Sequence, residues 1–568
     1  MISRRTFLRR AVTGALLTPV GGHLSTSAAT PDVLYNGITL GSPWPPRLLY
    51  PDEHPVLPAY LADPPSVIPI DVGRQLFVDD FLIEETTLSR TCHRATYSTR
   101  NPILQPEEPW ERRDSMAERV NRPINPTAMV FSDGVFYDPR DRLFKMWYMA
   151  GYGGVTCLAT SHDGITWDKP VFDVVPETNI VNRDARDSTT VWLDLFESDQ
   201  RQRFKMSAWY DHLLRLYVSP DGVHWRFIGS TGRAGDRSTF FHNPFRRVWV
   251  FSVRDTLYNS SISGRYRRYW ESPDFNQARE WGSSRSVPWV KADSLDFSRP
   301  EVTTRAELYN LDCVAYESVL LGLFSVWRGE TGVREKVNEV AVGFSRDGFH
   351  WHRPDRESFA PVSEKEGDWN WANVQSAGGG CLVVGDELYF YISGRQGRRG
   401  TEDPGVCSTG LATLRRDGFA SMEWLPDQAR VRRVDRSAGA SGTLTTRPLR
   451  FGGGHMFVNA DATGGELRVE VLDREGRVIA PFTREACASI AGSGTRVPVR
   501  WSAGSLASLA GDPVRFRFSM TRGRLYAFWV SPWPSGESRG YPAAGGPEFR
   551  GPVDSRESVS ARPGKGAA

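Results

Sequence analysis

The sequence lacks a long hydrophobic run, an excess of charge of either sign and closely paired cysteines. Without an apolar stretch long enough to cross a bilayer, no membrane anchor is predicted in the mature protein. The formal net charge is only +3 over 568 residues, which argues against a nucleic-acid partner bound by electrostatics. The six cysteines include no Cys-x-x-Cys pair, which argues against a structural zinc site. They read as small buried residues, although export would permit one or two disulfides.

Aromatic residues and glycine are abundant. The chain has 19 Trp, 18 Tyr, 29 Phe and 53 Gly. Aromatic side chains favour strands, and glycine favours the tight turns between them. The composition therefore predicts an all-β fold with many short strands, and its length predicts more than one domain.

The N-terminal 30 residues are typical of an export signal. Ser3-Arg-Arg-Thr-Phe-Leu8 is followed by a short apolar stretch and then by Ser27-Ala-Ala29. This order resembles a twin-arginine signal peptide. It predicts the twin-arginine translocase as a partner during export and a periplasmic or extracellular location. The alternative is a basic N-terminus that contains Arg4-Arg5 by coincidence.

A turn motif recurs through the middle of the chain. Three close copies are Ser161-His-Asp-Gly-Ile-Thr-Trp167, Ser219-Pro-Asp-Gly-Val-His-Trp225 and Ser345-Arg-Asp-Gly-Phe-His-Trp351, and looser copies surround Asp274 and Asp417. The aspartates are spaced by 53 to 73 residues, and strand-like segments precede each one. Asp-Gly between strands indicates a hairpin, because glycine accepts a positive φ and Asp bonds to nearby backbone.

Five such units predict a five-bladed β-propeller over residues 76–435. The alternative is an array of β-sandwiches with coincidental turns. The turns look like sialidase Asp-boxes with one residue deleted, so we assign them a structural role only.

The flanking segments have different compositions. Residues 31–75 are rich in proline and predict an extended arm on the surface, and Gln75–Ile83 predicts a strand that opens or closes the ring. Strictly alternating strands after residue 440 predict a β-sandwich over 440–532. The Gly, Pro, Ser and Arg composition of 533–568 predicts a disordered tail.

The innermost strands of a propeller line a central funnel, so the residues that enter them are the candidate site residues. The catalytic candidates are Asp187, Asp236, Asp312 and, as an alternate general acid, Glu307. The predicted substrate-binding residues are Asp80, Arg122, Asn125, Arg237, Tyr309, Asn310, Trp369, Trp371, Asn373 and Gln375. Converging carboxylates suit glycosidic cleavage, which needs an acid and a nucleophile or base. Each Asp taken alone also fits a strand-end cap.

Five blades with inner-strand acids, followed by a sandwich, resemble glycoside hydrolase family 32, with family 43 as a relative that lacks the sandwich. Arg186-Asp187-Ser188 is similar to that family's Arg-Asp-Pro, with Ser in place of Pro. The resemblance implies that Asp187 stabilises the transition state. The family's Trp-Met-Asn-Asp-Pro-Asn-Gly and Glu-Cys-Pro motifs are absent. The resemblance therefore implies glycoside hydrolysis as the reaction class but does not imply a fructan substrate.

The sequence thus predicts a secreted glycoside hydrolase with a carbohydrate substrate. The main alternative is a non-catalytic carbohydrate-binding or cell-wall-binding propeller, and a sialidase is a weaker rival because it needs six blades. No cofactor and no transition metal are predicted, and a calcium ion in the channel is left open.

Overall fold

The protein folds almost entirely into β-structure. A computed structural model describes residues 32–114, 124–259, 262–281, 286–296, 299, 305–329, 332–334, 336–425 and 441–556. The predicted signal peptide lies outside them. Helical structure in the described residues is limited to one α-helical turn and four 3₁₀ turns, which are Ala59–Ala62, Pro109–Arg112, Gln200–Gln202, Phe275–Glu280 and Leu506–Leu509. None of the described helices has the length and apolar character needed to span a bilayer.

Three antiparallel sheets of four strands follow one another along the chain. The strands that precede them are β1 (Ile68–Pro69), β2 (Gln75–Leu76), β3 (Ile83–Thr86), β4 (Ser89–Cys92) and β5 (Thr96–Tyr97). The first sheet contains β6 (Ala128–Asp138), β7 (Leu143–Ala150), β8 (Val155–Ser161) and β9 (Ile180–Asn182). The second contains β10 (Thr189–Leu193), β11 (Phe204–Tyr210), β12 (Leu213–Ser219) and β13 (Arg226–Arg233). The third contains β14 (Thr239–Asn243), β15 (Val248–Asn259), β16 (Ile262–Ser272) and β17 (Val287–Lys291).

Two further antiparallel units are joined by one parallel pairing, Asn338 with Asn373. The fourth unit contains β18 (Glu307–Glu317), β19 (Val319–Gly329) and β20 (Val337–Ser345). The fifth contains β21 (Asn373–Ser376), β22 (Leu382–Val384), β23 (Glu387–Arg395) and β24 (Cys407–Arg415), and β5 is its outermost strand. The N-terminal segment therefore completes the last unit, so the two ends of the five-unit region are joined by hydrogen bonds.

The repeated aspartates of the first four units follow the third strand, and Asp417 follows β24, which is third in the hydrogen-bonded order β21-β23-β24-β5 of the fifth unit. Asp163, Asp221 and Asp347 each accept hydrogen bonds from two backbone N–H groups of the next residues, at 2.7–2.9 Å. Asp274 caps the 3₁₀ turn that follows it, with a bond from Asn276 N at 2.9 Å. Asp417 differs, because its carboxylate is engaged by distant side chains instead. The structural role predicted for these turns is thus visible in their hydrogen bonds.

The glycine of the second turn packs directly on the first unit. Gly222 has φ +83°, and its carbonyl oxygen accepts a bond of 2.8 Å from Trp147 Nε1. A Cβ at this position would lie 2.5 Å from Trp147 Cζ2. The turn therefore requires glycine both for its backbone conformation and for its contact with the neighbouring unit.

We expect Gly222→Ala to destabilise the protein more than Gly476→Ala. Gly476 has a similar φ of +86° but no atom within 4 Å of its built Cβ, so both variants carry the conformational cost of about 1–2 kcal/mol. Only Gly222→Ala adds the clash with Trp147, at about 1–3 kcal/mol for overpacking. Urea denaturation of both variants measures the difference. Equal losses would show that the turn does not press on Trp147.

A second hydrophobic core lies between two other sheets. Their strands are β25 (Ala420–Trp424), β26 (Gly442–Thr446), β28 (His455–Asp461), β29 (Leu467–Leu472), β30 (Ser493–Pro498), β31 (Arg515–Met520) and β32 (Gly523–Ser531), with the short β27 (Leu449–Arg450) pairing with β1. Phe528 of one sheet contacts Phe516 and Phe518 of the other, with ring centroids 5.9 and 5.4 Å apart. This core contains none of the residues of the five-unit core.

The boundaries predicted for these regions need correction. Strands β2, β3 and β4 pair with β32, β26 and β25, so this stretch joins the two other sheets and does not open the ring. Its side chains are shared between the cores, with Leu76 and Val78 in the five-unit core and Phe77 and Phe81 in the second. Strand β25 pairs with β32 and β4 as well, with Met422 and Trp424 in the second core and Ala420 in the five-unit core. These strands join across several hundred residues, and their own alternation does not reveal which sheet they complete.

The proline-rich arm is not confined to the surface. Leu34, Ile38 and Leu40 are buried in the second core. Asn36 Nδ2 donates to the Arg346 carbonyl at 2.9 Å, which ties the arm to the fourth unit. The few apolar residues between the prolines are therefore the anchors of this segment.

Residues 533–556 are ordered, contrary to the predicted disordered tail, and 557–568 lie outside the described residues. Strand β33 (Tyr541–Pro542) pairs with the end of β18. Next to it, Ala544 O accepts from Tyr137 N at 3.0 Å, and Gly545 O accepts from Val383 N at 2.9 Å. The tail thus connects the ends of β6, β18 and β22. The Gly and Pro residues of the tail allow its backbone to lie close to these strands. A composition rich in Gly and Pro is equally typical of a disordered segment, so composition alone did not predict this packing.

A cluster of fully buried charges ties the regions together. Arg74 of the arm pairs with Asp417 at 2.8 Å and lies 3.5 Å from Glu317, and Arg416 lies 3.3 Å from Glu317. Ser538 of the tail donates to Glu317 Oε2 at 2.6 Å. Buried charges of this kind are costly unless every partner is present, so the cluster depends on all the segments that supply it.

Candidate active site

The first strands of the five units contact one another in cyclic order. Strand β6 contacts β10, β10 contacts β14, β14 contacts β18, and β21 contacts β6. Ser376 Oγ of β21 donates to Asp312 Oδ2 of β18 at 2.5 Å, which links the remaining pair. Side chains at the starts of these strands therefore converge on one axis.

Asp187 and Asp236 lie just before β10 and β14. Arg237 N donates to Ser188 Oγ at 2.9 Å, which holds the two loops together. Ser188 directly follows Asp187, so the tie lies next to this candidate acid. Burial raises the pKa of the Asp187 carboxyl, and the nearby Asp236 charge raises it further. Asp236 forms an ion pair of 3.0 Å with Arg254.

Asp312 lies deeper on β18 and is almost fully buried. Its Oδ2 accepts bonds from Ser376 Oγ and from Asn310 Nδ2, the latter at 2.8 Å, while Oδ1 has no hydrogen-bond partner. Burial raises the pKa of Asp312 to about 6, against the opposing charge of Arg237. The group is thus partly protonated near neutral pH.

We expect Asp312→Asn to gain stability relative to the parent protein as the pH rises. A carboxyl whose folded-state pKa is raised from 3.8 to about 6 binds its proton more tightly in the folded state, so its contribution to stability is lost as the pH rises through 6. Asn cannot ionise. From pH 4 to pH 7.5 the variant should gain on the order of 1–3 kcal/mol over the parent. Urea denaturation at both pH values tests this, and a pH-independent difference would contradict it.

Asp133 on β6 is a site residue that the sequence analysis missed. It is fully buried, its Oδ2 accepts from Arg186 Nη1 at 2.6 Å, and its Oδ1 has no hydrogen-bond partner. Burial raises its pKa to about 6, opposed mainly by Arg186. The sequence feature that could have identified Asp133 is the occurrence of an acidic residue within the mostly apolar stretch Ala128–Val135. Strand β6 has a register shift between Met129 and Gly134, which allows this stretch to depart from regular pairing.

Polar residues of the fourth and fifth units line the same axis. Asn373 Oδ1 accepts from Gln375 Nε2 at 2.9 Å. Tyr309 is the bulged residue of β18, and its carbonyl accepts from Arg267 at 3.4 Å. Several buried oxygens of strands β10, β18, β20 and β21 have no hydrogen-bond partner among the described residues: Thr189 Oγ1, Thr190 Oγ1, Asn310 Oδ1, Asn338 Oδ1 and Gln375 Oε1. A ligand rich in hydroxyl groups would satisfy such atoms.

Two of the acidic candidates lie elsewhere. Glu307 packs beside Gly264 and forms an ion pair of 2.7 Å with Arg265, because β16 extends past the ring to meet it. Asp80 lies in the region of the second core, where its exposed side chain pairs with Arg90. Neither carboxylate reaches the axis, so neither prediction of a site role holds.

Three further candidates are engaged in contacts within the protein, and a fourth lies outside the described residues. Asn125 bonds to Asp114 and to Gly405 N, which uses its side-chain amide. Trp369 covers Gly394 and Gly410, where a Cβ would lie within 2.3 Å of the indole. Trp371 is buried beneath Arg334. Arg122 is not among the described residues.

The chain also contains a Gly-x-Ser-x-Gly pattern at 536–540. Its serine, Ser538, donates to Glu317 and to Asp554, at 2.6 and 3.1 Å. No strand-to-helix turn exposes it, so it does not resemble a hydrolase nucleophile. In the described part of the chain, no three His, Cys, Asp or Glu side chains are arranged to hold a metal ion, and all six cysteines are free thiols.

No protein-family model and no curated protein matches the sequence. Solved structures to which the chain is similar include an N-acetylgalactosamine deacetylase from F. plautii, with 13% identity and a TM-score of 0.37, covering 56% of this chain and 97% of that one. A thermostable family-43 glycoside hydrolase has 10% identity and a TM-score of 0.36, covering 56% and 97%. A fructofuranosidase variant from Schwanniomyces occidentalis has 11% identity and a TM-score of 0.33, covering 77% and 98%. Glycoside hydrolases are thus among the solved structures to which the chain is similar.

Proposed function

We propose that the protein hydrolyses glycosidic bonds, with Asp187 and Asp236 as the reacting pair. The observation that carries the proposal is the proximity of two acidic residues with different environments, just before the neighbouring strands β10 and β14. The pKa of Asp187 is raised by burial and by the charge of Asp236, whereas Asp236 forms an ion pair with Arg254. Carboxyl groups in contrasting environments are typical of an acid and its anionic partner in glycosidases.

In this proposal Asp187 donates its proton to the glycosidic oxygen as the bond to the anomeric carbon breaks. Asp236, as a carboxylate, attacks that carbon or takes a proton from the attacking water. The family resemblance implies instead that Asp187 stabilises the transition state. The raised pKa of Asp187 favours the role of proton donor, because it shifts this carboxyl toward the protonated form that a donor needs.

The proposal includes a five-bladed propeller followed by a β-sandwich. Its support is the cyclic contact of five first strands, the completion of the fifth unit by β5, and the separate core of the two remaining sheets. In this arrangement the tail segment around Tyr541 covers the end of the ring opposite to Asp187. The substrate would enter only from the Asp187 side.

A substrate screen tests the proposed reaction. The purified protein without residues 1–30 should release sugars from one member of a panel of aryl glycosides and of plant and microbial polysaccharides. Proton NMR of the first anomer released would show whether the reaction retains or inverts configuration. Binding of a glycan without release of any product would favour the non-catalytic carbohydrate-binding propeller.

We also propose export by the twin-arginine pathway, on the basis of Ser3-Arg-Arg-Thr-Phe-Leu8. A fusion of residues 1–30 to a folded reporter should reach the periplasm. Replacing Arg4 and Arg5 together by Lys should abolish this transport, because the pathway reads the arginine pair. A fusion with only one of the two arginines replaced is the graded control. Unchanged export of the double variant would contradict the proposal.

A further inference from the structure

Three buried arginines near the axis have no acidic partner. Arg237, Arg267 and Arg395 form no ion pair with any described residue, although each is at most 6% exposed. The other well-buried guanidinium groups pair with carboxylates: Arg74, Arg186, Arg203, Arg346, Arg353 and Arg416. A buried charge without a partner is costly. The grouping of these unpaired arginines at one place points to a ligand that supplies the missing negative charge.

Arg267 is occupied by the protein itself. Its side chain donates to the carbonyl of Arg237 at 2.8 Å, to Ser252 Oγ at 2.9 Å and to the Tyr309 carbonyl at 3.4 Å. It therefore acts as a positioning residue that holds the Arg237 backbone, which has a φ of +58°. The remaining two guanidinium groups are available to a ligand.

Arg237 presents one free edge. Nη1 donates to Ser132 Oγ at 2.9 Å, whereas Nε and Nη2 are buried without a hydrogen-bond partner. Nε–H and Nη2–H lie side by side on a guanidinium group, and they match the two oxygens of a carboxylate or two oxygens of a sulfate. The bond to Ser132 thus orients the Arg237 guanidinium group and leaves its Nε–Nη2 edge without a hydrogen-bond acceptor.

Arg395 lies beside Arg237. The Arg237 guanidinium is 3.6 Å from the centroid of Phe131, and that of Arg395 is 5.5 Å from the same ring. Arg395 is also 5.5 Å from the ring of Tyr152, and it makes no side-chain hydrogen bond to a described residue. Two like charges near one aromatic ring repel each other, and an anion bound between them would offset this repulsion.

The surrounding acids do not neutralise this pair. Asp133 is taken by Arg186, and Asp236 by Arg254. The charges of Asp187 and Asp312 act on Arg237, but neither carboxylate forms an ion pair with it. The site therefore retains an excess of positive charge next to the proposed reacting acids.

We propose that Arg237 and Arg395 bind an anionic substituent, a carboxylate or a sulfate ester, on the sugar that occupies the candidate active site. The inference rests on the proposed glycosidase function for its location, but the binding itself does not require catalysis. It makes the substrate an acidic glycan, and it distinguishes this site from one that recognises neutral sugars by hydroxyl contacts alone.

Equilibrium binding to matched glycans tests the proposal on the unaltered protein. The probes are oligosaccharides of galacturonic and glucuronic acid, their carboxyl-reduced counterparts, and sulfated and unsulfated oligosaccharides of galactose. We expect one acidic class to bind at least about 10-fold more tightly than its neutral counterpart, as for a charge-assisted hydrogen bond. The two acidic sets distinguish a carboxylate from a sulfate. Equal affinity for acidic and neutral members of every pair would overturn the proposal.

Variants then locate the effect. Arg237→Gln and Arg395→Gln should each lose about 10–100-fold in affinity for the acidic probe. Arg237→Lys should lose nearly as much, because it keeps the charge without the two-pronged edge. Arg201→Gln is the matched control, since Arg201 is 86% exposed and forms an ion pair with Asp199 on the surface. If the Gln variants do not fold, the comparison of acidic and carboxyl-reduced probes on the parent protein still decides.

Failure of the two proposals can be distinguished. Tight, arginine-dependent binding of an acidic glycan that is never cleaved would support the anion site and contradict the glycosidase. Cleavage of a neutral glycan, with no preference for its acidic counterpart, would support the glycosidase and overturn the anion site.

Discussion

Asp187→Asn is expected to lose about 10²–10⁴-fold in glycoside hydrolysis while the protein keeps its fold, because a positioned acid or base typically contributes that factor. Asn has the size of Asp but donates no carboxyl proton. Asp187 has no side-chain hydrogen bond that the fold depends on, and its neighbours Arg186 and Arg237 are held by Asp133 and Ser132. The loss should therefore appear in kcat with little change in unfolding. Asp236→Asn should lose activity to a similar extent.

Asp80→Asn is the matched control for these variants. Its side chain is 72% exposed and pairs with Arg90 in the region of the second core, so activity should be unchanged. The measurement is kcat and KM on the best substrate from the screen, with the thermal midpoint recorded for each variant. Full activity of Asp187→Asn would exclude this residue as the proton donor. Similar losses in all three variants would indicate a general effect on the fold.

Deletion of residues 533–568 is expected to destabilise the protein severely. The deletion removes strand β33 from β18 and the Ser538 hydroxyl from Glu317, at 2.6 Å. Glu317 is 1% exposed and shares the buried cluster with Arg74 and Arg416. Loss of the Ser538 donor from this buried carboxylate costs about 1–3 kcal/mol, and the loss of strand β33 and of buried Ala544 and Phe549 adds to it.

Deletion of residues 557–568 alone removes none of these contacts and serves as the control. Thermal and urea denaturation of both truncated proteins should show the large loss only in the longer deletion. The single substitution Ser538→Ala should lose about 1–3 kcal/mol, since it leaves a buried carboxylate with one fewer donor. A longer deletion with unchanged stability would support the disordered tail predicted from composition.

Local patterns predicted much of the repeating architecture. The Asp-Gly turns carry their own hydrogen bonds, as at Asp163 and Asp221, and the glycine that follows each of these aspartates adopts a positive φ without steric cost. Such turns are determined by a few neighbouring residues, so the sequence was sufficient to locate the ends of the third strands. The positions of Asp187 and Asp236 before β10 and β14 followed from the same repeat.

Tertiary structure decided which polar residues meet. Asp133 stands among apolar neighbours in sequence, and only the approach of Arg186 and the other first strands makes it part of a site. Glu307 occupies an inner strand as predicted, yet Arg265 of the preceding unit holds it away from the axis. Pairings across long sequence distances, such as β2 with β32 or Ser538 with Glu317, likewise assigned the arm and the tail. Alternation and composition determine which face of a strand is buried, whereas the partner that buries it is chosen by the packing of the whole chain.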